Sequence, residues 1–327
     1  MRKILTRDRK IVVLYILICF TMLLLTTTTY AWFTTTKIVS LETFSIHIAS
    51  DSGLQISSDG TTWKAILELE DLYDAEDSYG LSIDQFPAYM EPVSTAGLIE
   101  NGRLLMFDGN AINSNNSFIL VSSRLSEEEM LDDSSAKFIA FDIFLKTESP
   151  KSLYLSSNSG VNNIGINPTG IENSFRVAFL NQGNVSDGTD VYRIQSLSGA
   201  TDAYIWEPNY DTHTLMASQN AASLFGMNLS LENERAIPYY GVVNEIRESD
   251  NVLIENIYSN LYSDFLRPVE IDLSTRKSFN TNQYMFELRP GITKFRIYIW
   301  IEGQDVDCED NASLGDINVN LQITTVQ

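Results

Sequence analysis

Apolar and polar residues alternate with a period of two along several stretches of this chain. The alternation is clearest in four segments, namely Ala136–Lys146, Phe175–Phe179, Lys294–Glu302 and Asp316–Thr324. Weaker candidates are Lys37–Ile48, Leu54–Ser57, Thr62–Leu67, Leu104–Phe107, Phe118–Val121, Leu153–Leu155, Asp190–Ile194 and Val269–Leu273. This period is typical of β-strands with one face on a core and the other in water. The pattern therefore predicts a chain built mainly from half-buried strands.

Two stretches with helical spacing interrupt the predicted strands. In Asn251–Leu266, apolar residues recur three and four positions apart, so they form one stripe along a helix. Leu215–Phe225 shows the same spacing more weakly. Ser126 opens a capping-box pattern, which predicts one short helical turn. We therefore expect one or two short helices in a mainly β chain.

The loops and the absence of repeats complete the predicted architecture. Stretches rich in Asn, Ser and Gly predict long loops, namely Asp108–Ser117, Ser156–Asn173 and Asn181–Thr189. Many strands, long polar loops and few helices favour a β-sandwich or jelly roll. No linker or repeat divides residues 32–327, so we predict one extracellular domain there, while two stacked sandwiches remain an alternative at this length.

The first residues have the layout of an export signal. Residues 1–10 are basic, Ile11 to Leu25 carry no charge, and Ala31 offers a small residue for cleavage before Trp32. If the chain is cut there, residues 1–31 are a removed signal peptide. If it is not cut, residues 11–33 are long enough to cross a bilayer as an anchor. Both outcomes place the remainder outside the cytoplasmic membrane, because the positive end stays inside.

Net charge excludes several classes of partner. The chain has 22 Lys and Arg against 43 Asp and Glu, a formal net charge of −21. Residues 1–31 hold five basic residues and one acidic residue, a balance of +4, so the other 296 residues carry −25. Such a body repels phosphate backbones and anionic membrane surfaces, and we expect no nucleic-acid partner. Apolar residues make up 44% of the chain, enough to form a core.

The scarcity of cysteine and histidine limits metal and catalytic chemistry. Two Cys and two His are too few for a Cys₄ or His₃ zinc site. His47 falls on the polar face of a predicted strand and His213 in a polar loop, and no nucleophile motif accompanies them. We predict no catalytic residues, although a hydrolytic site assembled from distant loops stays a third alternative. Cys308 is predicted to be a buried free thiol, with an intermolecular disulfide as the alternative.

An acidic loop is the strongest candidate for a cofactor. It joins the last two clear strands and gathers the carboxylates of Glu302, Asp305, Asp307, Glu309 and Asp310. Oxygen ligands at alternate positions suit calcium, which takes six to eight of them. The alternative is a solvated loop whose charge keeps it in water. If the loop binds a cofactor, we expect calcium, with these five residues as its ligands.

Aromatic residues supply the candidate contacts with partners. Trp206 and Tyr210 flank a turn, where exposed rings bind sugars or proteins, although a strand-end turn that buries Trp206 is the alternative. Trp32 and Phe33 would begin the mature chain after cleavage and lead into a β-prone stretch. A free terminus of this kind can add to the open sheet edge of a neighbouring subunit. If uncleaved, the same two rings would lie at the membrane interface.

The segment Thr29-Tyr30-Ala31-Trp32-Phe33-Thr34, placed after an apolar run and before Thr43–Ile48, resembles the start of camelysin/TasA-family proteins. The resemblance covers about residues 5–48. It implies export from a Gram-positive bacterium, processing by a dedicated signal peptidase, and a jelly-roll domain that assembles into biofilm-matrix fibres. The sequence thus favours an exported structural or adhesive surface protein. A membrane-anchored module that binds glycan or protein is the alternative.

Overall fold

The computed structural model describes the chain in segments. These are residues 40–48, 53–95, 97–114, 117–127, 136–165, 170–209, 214–215, 231–232, 235–236, 252–254, 275–276, 281–303, 305, 307–308 and 316–325. The predicted signal or anchor, Ala31, Trp32 and Phe33 lie outside them. Within these segments, no helix has both the length and the apolar character needed to cross a membrane.

The protein is mainly β, as the alternation predicts. Its described strands are β1 (Ser40–Ile48), β2 (Gln55–Ser57), β3 (Ile66–Glu68), β4 (Ile99–Glu100), β5 (Arg103–Leu104), β6 (Met106–Ser114), β7 (Ser117–Leu125), β8 (Ile139–Thr147), β9 (Lys151–Leu155), β10 (Gly160–Asn163), β11 (Phe175–Val185), β12 (Ala203–Glu207), β13 (Leu231–Glu232), β14 (Arg235–Ala236), β15 (Val252–Ile254), β16 (Thr275–Arg276), β17 (Gln283–Leu288), β18 (Gly291–Ile301) and β19 (Asp316–Thr324). Short helices are α1 (Leu69–Tyr73) and α2 (Val191–Gln195), with 3₁₀ turns at Asp74–Asp77 and Ile171–Ser174.

Two six-stranded sheets contain twelve of the described strands, and the other seven form smaller sheets. Sheet I has the order β17, β9, β19, β1, β3, and β10 also pairs with β19. Sheet II has the order β16, β12, β11, β18, β8, β2. The first described strand, β1, runs parallel to β19 and antiparallel to β3, so it is paired on both sides.

One hydrophobic cluster contains side chains from both sheets. Ile46 and Leu321 of sheet I and Phe141 and Ile297 of sheet II all belong to it and are fully buried. In β19, the residues Ile317, Val319, Leu321 and Ile323 are buried while their neighbours Asn318, Asn320 and Gln322 are half-buried. The predicted alternation of β19 is therefore confirmed, together with its bounds.

The strand β18 departs from the prediction, because both of its faces are buried. All eleven of its residues are buried, where a half-exposed strand was expected. Ile297 and Ile299 enter the cluster shared with sheet I, whereas Tyr298 and Trp300 pack in a second cluster with Val93, Leu104 and Met106. The backbone bridges Gln85 to Ala140 of β8 and Val93 to Glu302. Residues 79–107, which we call the covering segment, thus shield the second face from water.

Several element predictions are wrong. The predicted loop Ser156–Asn173 contains β10, and the predicted loop Asn181–Thr189 contains the last residues of β11. Asp190–Ile194 is a helix start, because the Asp190 carboxylate accepts the Tyr192 N–H at 3.1 Å and caps α2. Val252–Ile254, at the start of the predicted helix Asn251–Leu266, is a strand paired with β7. The predicted loop Asp108–Ser117 lies in the β6–β7 hairpin, where ladder pairing outweighs its turn-like composition. The rest of that helix, residues 216–225 and Val269–Leu273 lie outside the described residues.

Candidate functional site

The acidic loop after β18 turns its described carboxylates inward. Glu302 accepts the indole N–H of Trp300 at 3.2 Å. Asp305 accepts a hydrogen bond from Arg176 at 2.6 Å, and Asp307 accepts the hydroxyl hydrogen of Thr214 at 2.8 Å. Asp305 and Asp307 therefore serve different partners. In the part of the chain that the structure describes, no three metal-ligating residues cluster in a geometry that could hold a metal.

The five predicted calcium ligands are only partly described. Glu302, Asp305 and Asp307 are almost fully buried rather than solvated, so the alternative of a solvated loop is wrong for these three. Glu309 and Asp310 lie outside the described residues. Calcium at this loop stays a prediction, and it would compete with Arg176 for Asp305.

A buried group of three charged side chains centres on Arg176 of β11. Its guanidinium lies 2.6 Å from Asp305 and 2.8 Å from Glu207 of β12, and all three side chains are inaccessible to water. The guanidinium also donates to the backbone carbonyls of Asn173 and Phe175. Burial lowers the pKa of Arg176, but the neighbouring carboxylates outweigh burial and raise it, so the group stays charged. These three side chains join β11, β12 and the acidic loop.

Trp206 and Cys308, singled out from the sequence, both lie in the core. Trp206 has an exposed fraction of 1% in β12, between β11 and β16, so its proposed role as a surface ring is wrong. An interior strand position buries the ring that the sequence placed beside a turn. Cys308 is a free thiol with an exposed fraction of 2%, which confirms the buried-thiol interpretation.

A second set of buried charges, which the sequence did not predict, lies on the covered face of sheet II. We call it the charge layer; its charged members are Asp84, Glu127, Asp142, Lys294 and Arg296. Arg296 and Asp142 are direct partners in the β18–β8 register, 3.0 Å apart. Lys294 lies 3.0 Å from Asp142, and Glu127 lies 2.6 Å from Arg296. The layer therefore ties the sheet to segments that cover it.

All five N–H groups of Arg296 have acceptors. Its Nε and one terminal nitrogen donate to Glu127, the other terminal nitrogen donates to Asp84 and Asp142, and the last hydrogen goes to the Ile83 carbonyl. A guanidinium has five such donors, so none is left for a ligand. Arg296 is thus a structural cross-link between β18, β8 and the covering segment.

Two tyrosines complete the charge layer. The Tyr79 hydroxyl donates to Asp142 at 2.6 Å, and the Tyr298 hydroxyl donates to Glu127. Burial and the adjacent carboxylate raise the pKa of each tyrosine, so both stay protonated. Each hydroxyl therefore acts as a donor, and the hydrogen bond from Tyr79 helps to hold Asp142 in the charged form.

The fold shifts the pKa values of the two aspartates in the charge layer in opposite directions. Burial and the neighbouring Asp142 raise the pKa of Asp84 to about 7. Burial acts the same way on Asp142, but Arg296 and Lys294 outweigh it and hold its pKa below the usual value. With Asp84 protonated, the layer contains two positive and two negative charges. Its ionisation adds one uncompensated negative charge to a buried site.

A cavity of about 160 Å³ borders the charge layer. Asp142, Lys294 and Arg296 line it together with Gly102 and Gln182. Gln182 donates to the Gly102 carbonyl at 2.7 Å, so its amide helps to hold the β4–β5 turn. The space is large enough for a few water molecules. Asp142, Lys294 and Arg296 are engaged with one another, which favours a role in stability over one in ligand chemistry for these three.

The outer face of sheet I is the remaining candidate surface. It carries His47 of β1, half-buried as predicted, whose Nε2 lies 3.1 Å from the Ser45 hydroxyl. Within the described segments, no carboxylate is hydrogen-bonded to the His47 ring, although a Ser-His-acid arrangement requires one. His213 lies outside those segments. The same face includes Tyr284 of β17, whose ring has an exposed fraction of 50%.

Comparison with protein-family models, with curated proteins and with solved structures gave no match for this chain.

Proposed function

We propose that this protein is an exported structural or adhesive component of a bacterial cell surface or biofilm matrix. Its body would be a β-sandwich of the jelly-roll type, which the two sheets around one hydrophobic cluster support. The observation that carries the proposal is the open edge of sheet I. There, β17 pairs with β9 on one side and has no strand on its other side among the described residues.

An open edge is a template for assembly. Its unpaired N–H and C=O groups accept a strand from another chain, and natural proteins use this mode for polymer growth. The segment Trp32–Val39 is β-prone and directly precedes β1, so it is the proposed donor. Such a head-to-tail contact does not close on itself, and it therefore produces filaments.

The N-terminal region supports export. Residues 1–31 combine a basic start, an apolar run and a small residue at the proposed cleavage position, Ala31. The resemblance of about residues 5–48 to the camelysin/TasA family is consistent with a matrix role. Without cleavage, residues 11–33 would hold the body at the outer surface of the membrane.

The test uses the full chain, with its own N-terminal segment, produced in a Gram-positive host. Its mature N-terminus is read by mass spectrometry, and its assembly is followed by sedimentation and electron microscopy as salt rises. We expect a mature chain that starts at Trp32. We also expect it to form filaments as the salt concentration rises, because salt screens the repulsion between acidic bodies. A double variant, Phe33→Asp and Ile38→Asp, should be exported but stay monomeric.

The control is Tyr89→Asp, at a side chain with an exposed fraction of 59% outside both sheets. It adds negative charge without touching the donor segment, so it should assemble like the wild type. A wild-type protein that stays monomeric at every salt concentration, or equal assembly by the double variant, contradicts the proposal.

A further inference from the structure

Among the side chains that the structure describes, the outer face of sheet I is uncharged across its central strands. The side chains that point away from the core there are serines, amides, tyrosines and one histidine: Ser45, His47, Ser152, Tyr154, Asn162, Tyr284, Asn318, Asn320 and Gln322. We call this set the neutral face. Charged residues lie at its margins, at Glu68 of β3, Glu287 of β17 and the first residue of β19, Asp316.

This neutrality is unusual for the chain. Charged residues make up 20% of the sequence and the net charge is −21. Exposed strand faces commonly carry charged side chains, which keep sheets soluble and protect their edges. A surface without charge in the middle of an acidic body therefore suits an uncharged partner, since the body would repel an anionic one.

The aromatic part of the neutral face lies on β9 and β17. Tyr154 and Tyr284 are direct register partners, with ring centroids 5.9 Å apart in an edge-to-face arrangement. Partial burial, with Glu287 and Tyr154 nearby, raises the pKa of Tyr284, so its hydroxyl stays protonated. The pair offers an apolar ring surface and two hydroxyl groups beside each other.

The amide part lies on β19 and is held in place by loops. The Gln322 side-chain oxygen accepts the Ser156 hydroxyl hydrogen at 3.1 Å, and Ser159 bonds to the Gln322 backbone. The Gln322 side-chain NH₂ group has no hydrogen-bond partner in the described segments. Amides and hydroxyls can both donate and accept, which matches the hydroxyl groups of a sugar. Positioned groups lose little side-chain entropy when they bind.

We infer that the neutral face binds an uncharged extracellular polysaccharide, with Tyr154 and Tyr284 against the sugar rings and the amides of Asn318 and Gln322 on the hydroxyl groups. The face spans four neighbouring strand positions, because β9 and β10 pair with different parts of β19 on the same side. It is therefore about 14 Å wide and fits an extended polymer of a few sugar units. This inference rests on the proposed adhesive function and names its partner. The sequence offered Trp206 as a candidate aromatic contact with a partner, but Trp206 is buried. The tyrosines of β9 and β17 take this role instead.

The test is affinity electrophoresis of the full chain, as recovered from the exporting host, through native gels that contain a neutral polysaccharide. Dextran, mixed-linkage β-glucan and hydroxyethyl cellulose are the neutral probes, and alginate is the anionic comparison. We expect retardation by a neutral probe that does not change with salt, because an uncharged ligand offers no ion pairs to screen. Alginate should not retard the protein.

The variants separate the aromatic contact from general effects. Tyr154→Ala with Tyr284→Ala should weaken retention about tenfold or more, since tyrosine anchors contribute strongly to recognition surfaces. Tyr284→Phe keeps the ring and should retain most of the binding. Tyr192→Ala is the matched control, because Tyr192 is more exposed, at 67%, but lies on α2 away from the face. Thermal melts confirm that each variant is folded.

Three results would overturn the inference: no retention by any neutral probe, equal losses in Tyr192→Ala and the double variant, or a change of oligomeric state in the double variant, which would make the face a contact between copies. Filament formation is scored separately. Loss of filaments with intact retention contradicts only the assembly proposal, whereas filaments without retention contradict only the inference made here.

Discussion

Individual residues show how the interior of this acidic protein tolerates charge. Asp84 illustrates the point. The other four members of the charge layer carry two positive and two negative charges, so an ionised Asp84 adds a negative charge that no cation compensates. An acid whose pKa rises on folding binds more protons folded than unfolded between the two values. The free energy of unfolding therefore falls as pH rises from about 4, the usual value for Asp, to about 7, the value in the fold.

The Asp84→Asn variant should remove this pH dependence. Asparagine keeps an oxygen that can accept from the Asp142 N–H and from Arg296, which Asp84 bonds at 3.0 and 3.2 Å. Relative to wild type, we expect the variant to gain at least about 1.4 kcal/mol of stability between pH 5 and 8, the equivalent of one pKa unit. Urea unfolding at several pH values measures this, with exposed Asp202→Asn as control. Parallel curves for wild type and Asp84→Asn would show that Asp84 does not titrate in this range.

Arg176 provides a second prediction at the residue scale. Arg176→Met leaves the carboxylates of Asp305 and Glu207 buried without their guanidinium, and such a change typically lowers the free energy of unfolding by about 3–5 kcal/mol. Arg124→Met is the matched control, because Arg124 pairs with Glu100 in an exposed position. Surface pairs contribute about 0–1 kcal/mol. Similar losses in both variants, measured by urea unfolding, would contradict the structural role of Arg176.

The sequence predicts some residue environments better than others. His47 and Cys308 lie where strand alternation and residue type place them. Glu127 falls within a capping-box pattern, yet its carboxylate meets Arg296, 169 positions along the chain. No local pattern contains that partner. The one available signal was the pair of Lys294 and Arg296 on the polar face of β18, because buried cations need carboxylates such as Asp142 opposite them.

At the scale of elements, the β4–β5 hairpin depends on a two-residue turn that the alternation does not predict. Glu100 pairs with Arg103, and the two residues between them, Asn101 and Gly102, have φ values of 52° and 77°. Positive φ at both positions defines the tight hairpin turn for which Asn-Gly is the favoured sequence. The dipeptide was therefore a readable signal, and it positions Gly102 beside the cavity.

Gly102→Ala should destabilise the protein through this turn. A Cβ at this position would lie 2.5 Å from the Ser198 carbonyl oxygen, and the positive φ strains any residue with a side chain. We expect a loss of more than about 1 kcal/mol in the free energy of unfolding. Gly80→Ala is the control, because a Cβ added there would have no heavy atom within 4 Å beyond its chain neighbours. Equal stability of the two variants would refute the turn argument.

Element prediction succeeded where the periodic pattern is long and failed where it is short. The nine residues of β19 alternate throughout, and their predicted bounds are confirmed. Asp190–Ile194 offers five residues, too few to separate the two periods, and the capping bond of Asp190 decides for a helix. In β6 and β7, pairing from Met106–Leu125 to Ser114–Ser117 organises a stretch whose composition resembles a loop.

At the scale of the whole molecule, the sequence predicts the class of fold but not its layers. A mainly β chain follows from the alternation, because the alternation within a strand is visible in the sequence of that strand alone. The covering of sheet II does not follow, since it depends on residues 79–107 meeting strands that come much later in the chain. The charge layer lies between those distant parts, so the same long-range contact hides it from sequence reasoning.

The position of β1 leads to the last prediction. β1 contributes Ile46 and Ile48 to the core and lies between β19 and β3, with eight register pairs to β19. A chain that begins at Ser40 should therefore unfold cooperatively, with a stability close to that of residues 32–327. A chain that begins at Asp51 loses the whole strand. Each buried isoleucine contributes about 2–5 kcal/mol, a large part of a typical domain's total of about 5–15 kcal/mol.

Circular dichroism and urea unfolding of the two truncated chains measure this difference. Adding a synthetic peptide with residues 37–50 should restore part of the lost stability to the chain that begins at Asp51, because the vacant position offers a ladder and an apolar groove of matching register. A scrambled peptide of the same composition is the control, since only the native alternation places both isoleucines inward. Full stability without β1, or equal rescue by both peptides, would show that β1 is not an integral strand of sheet I.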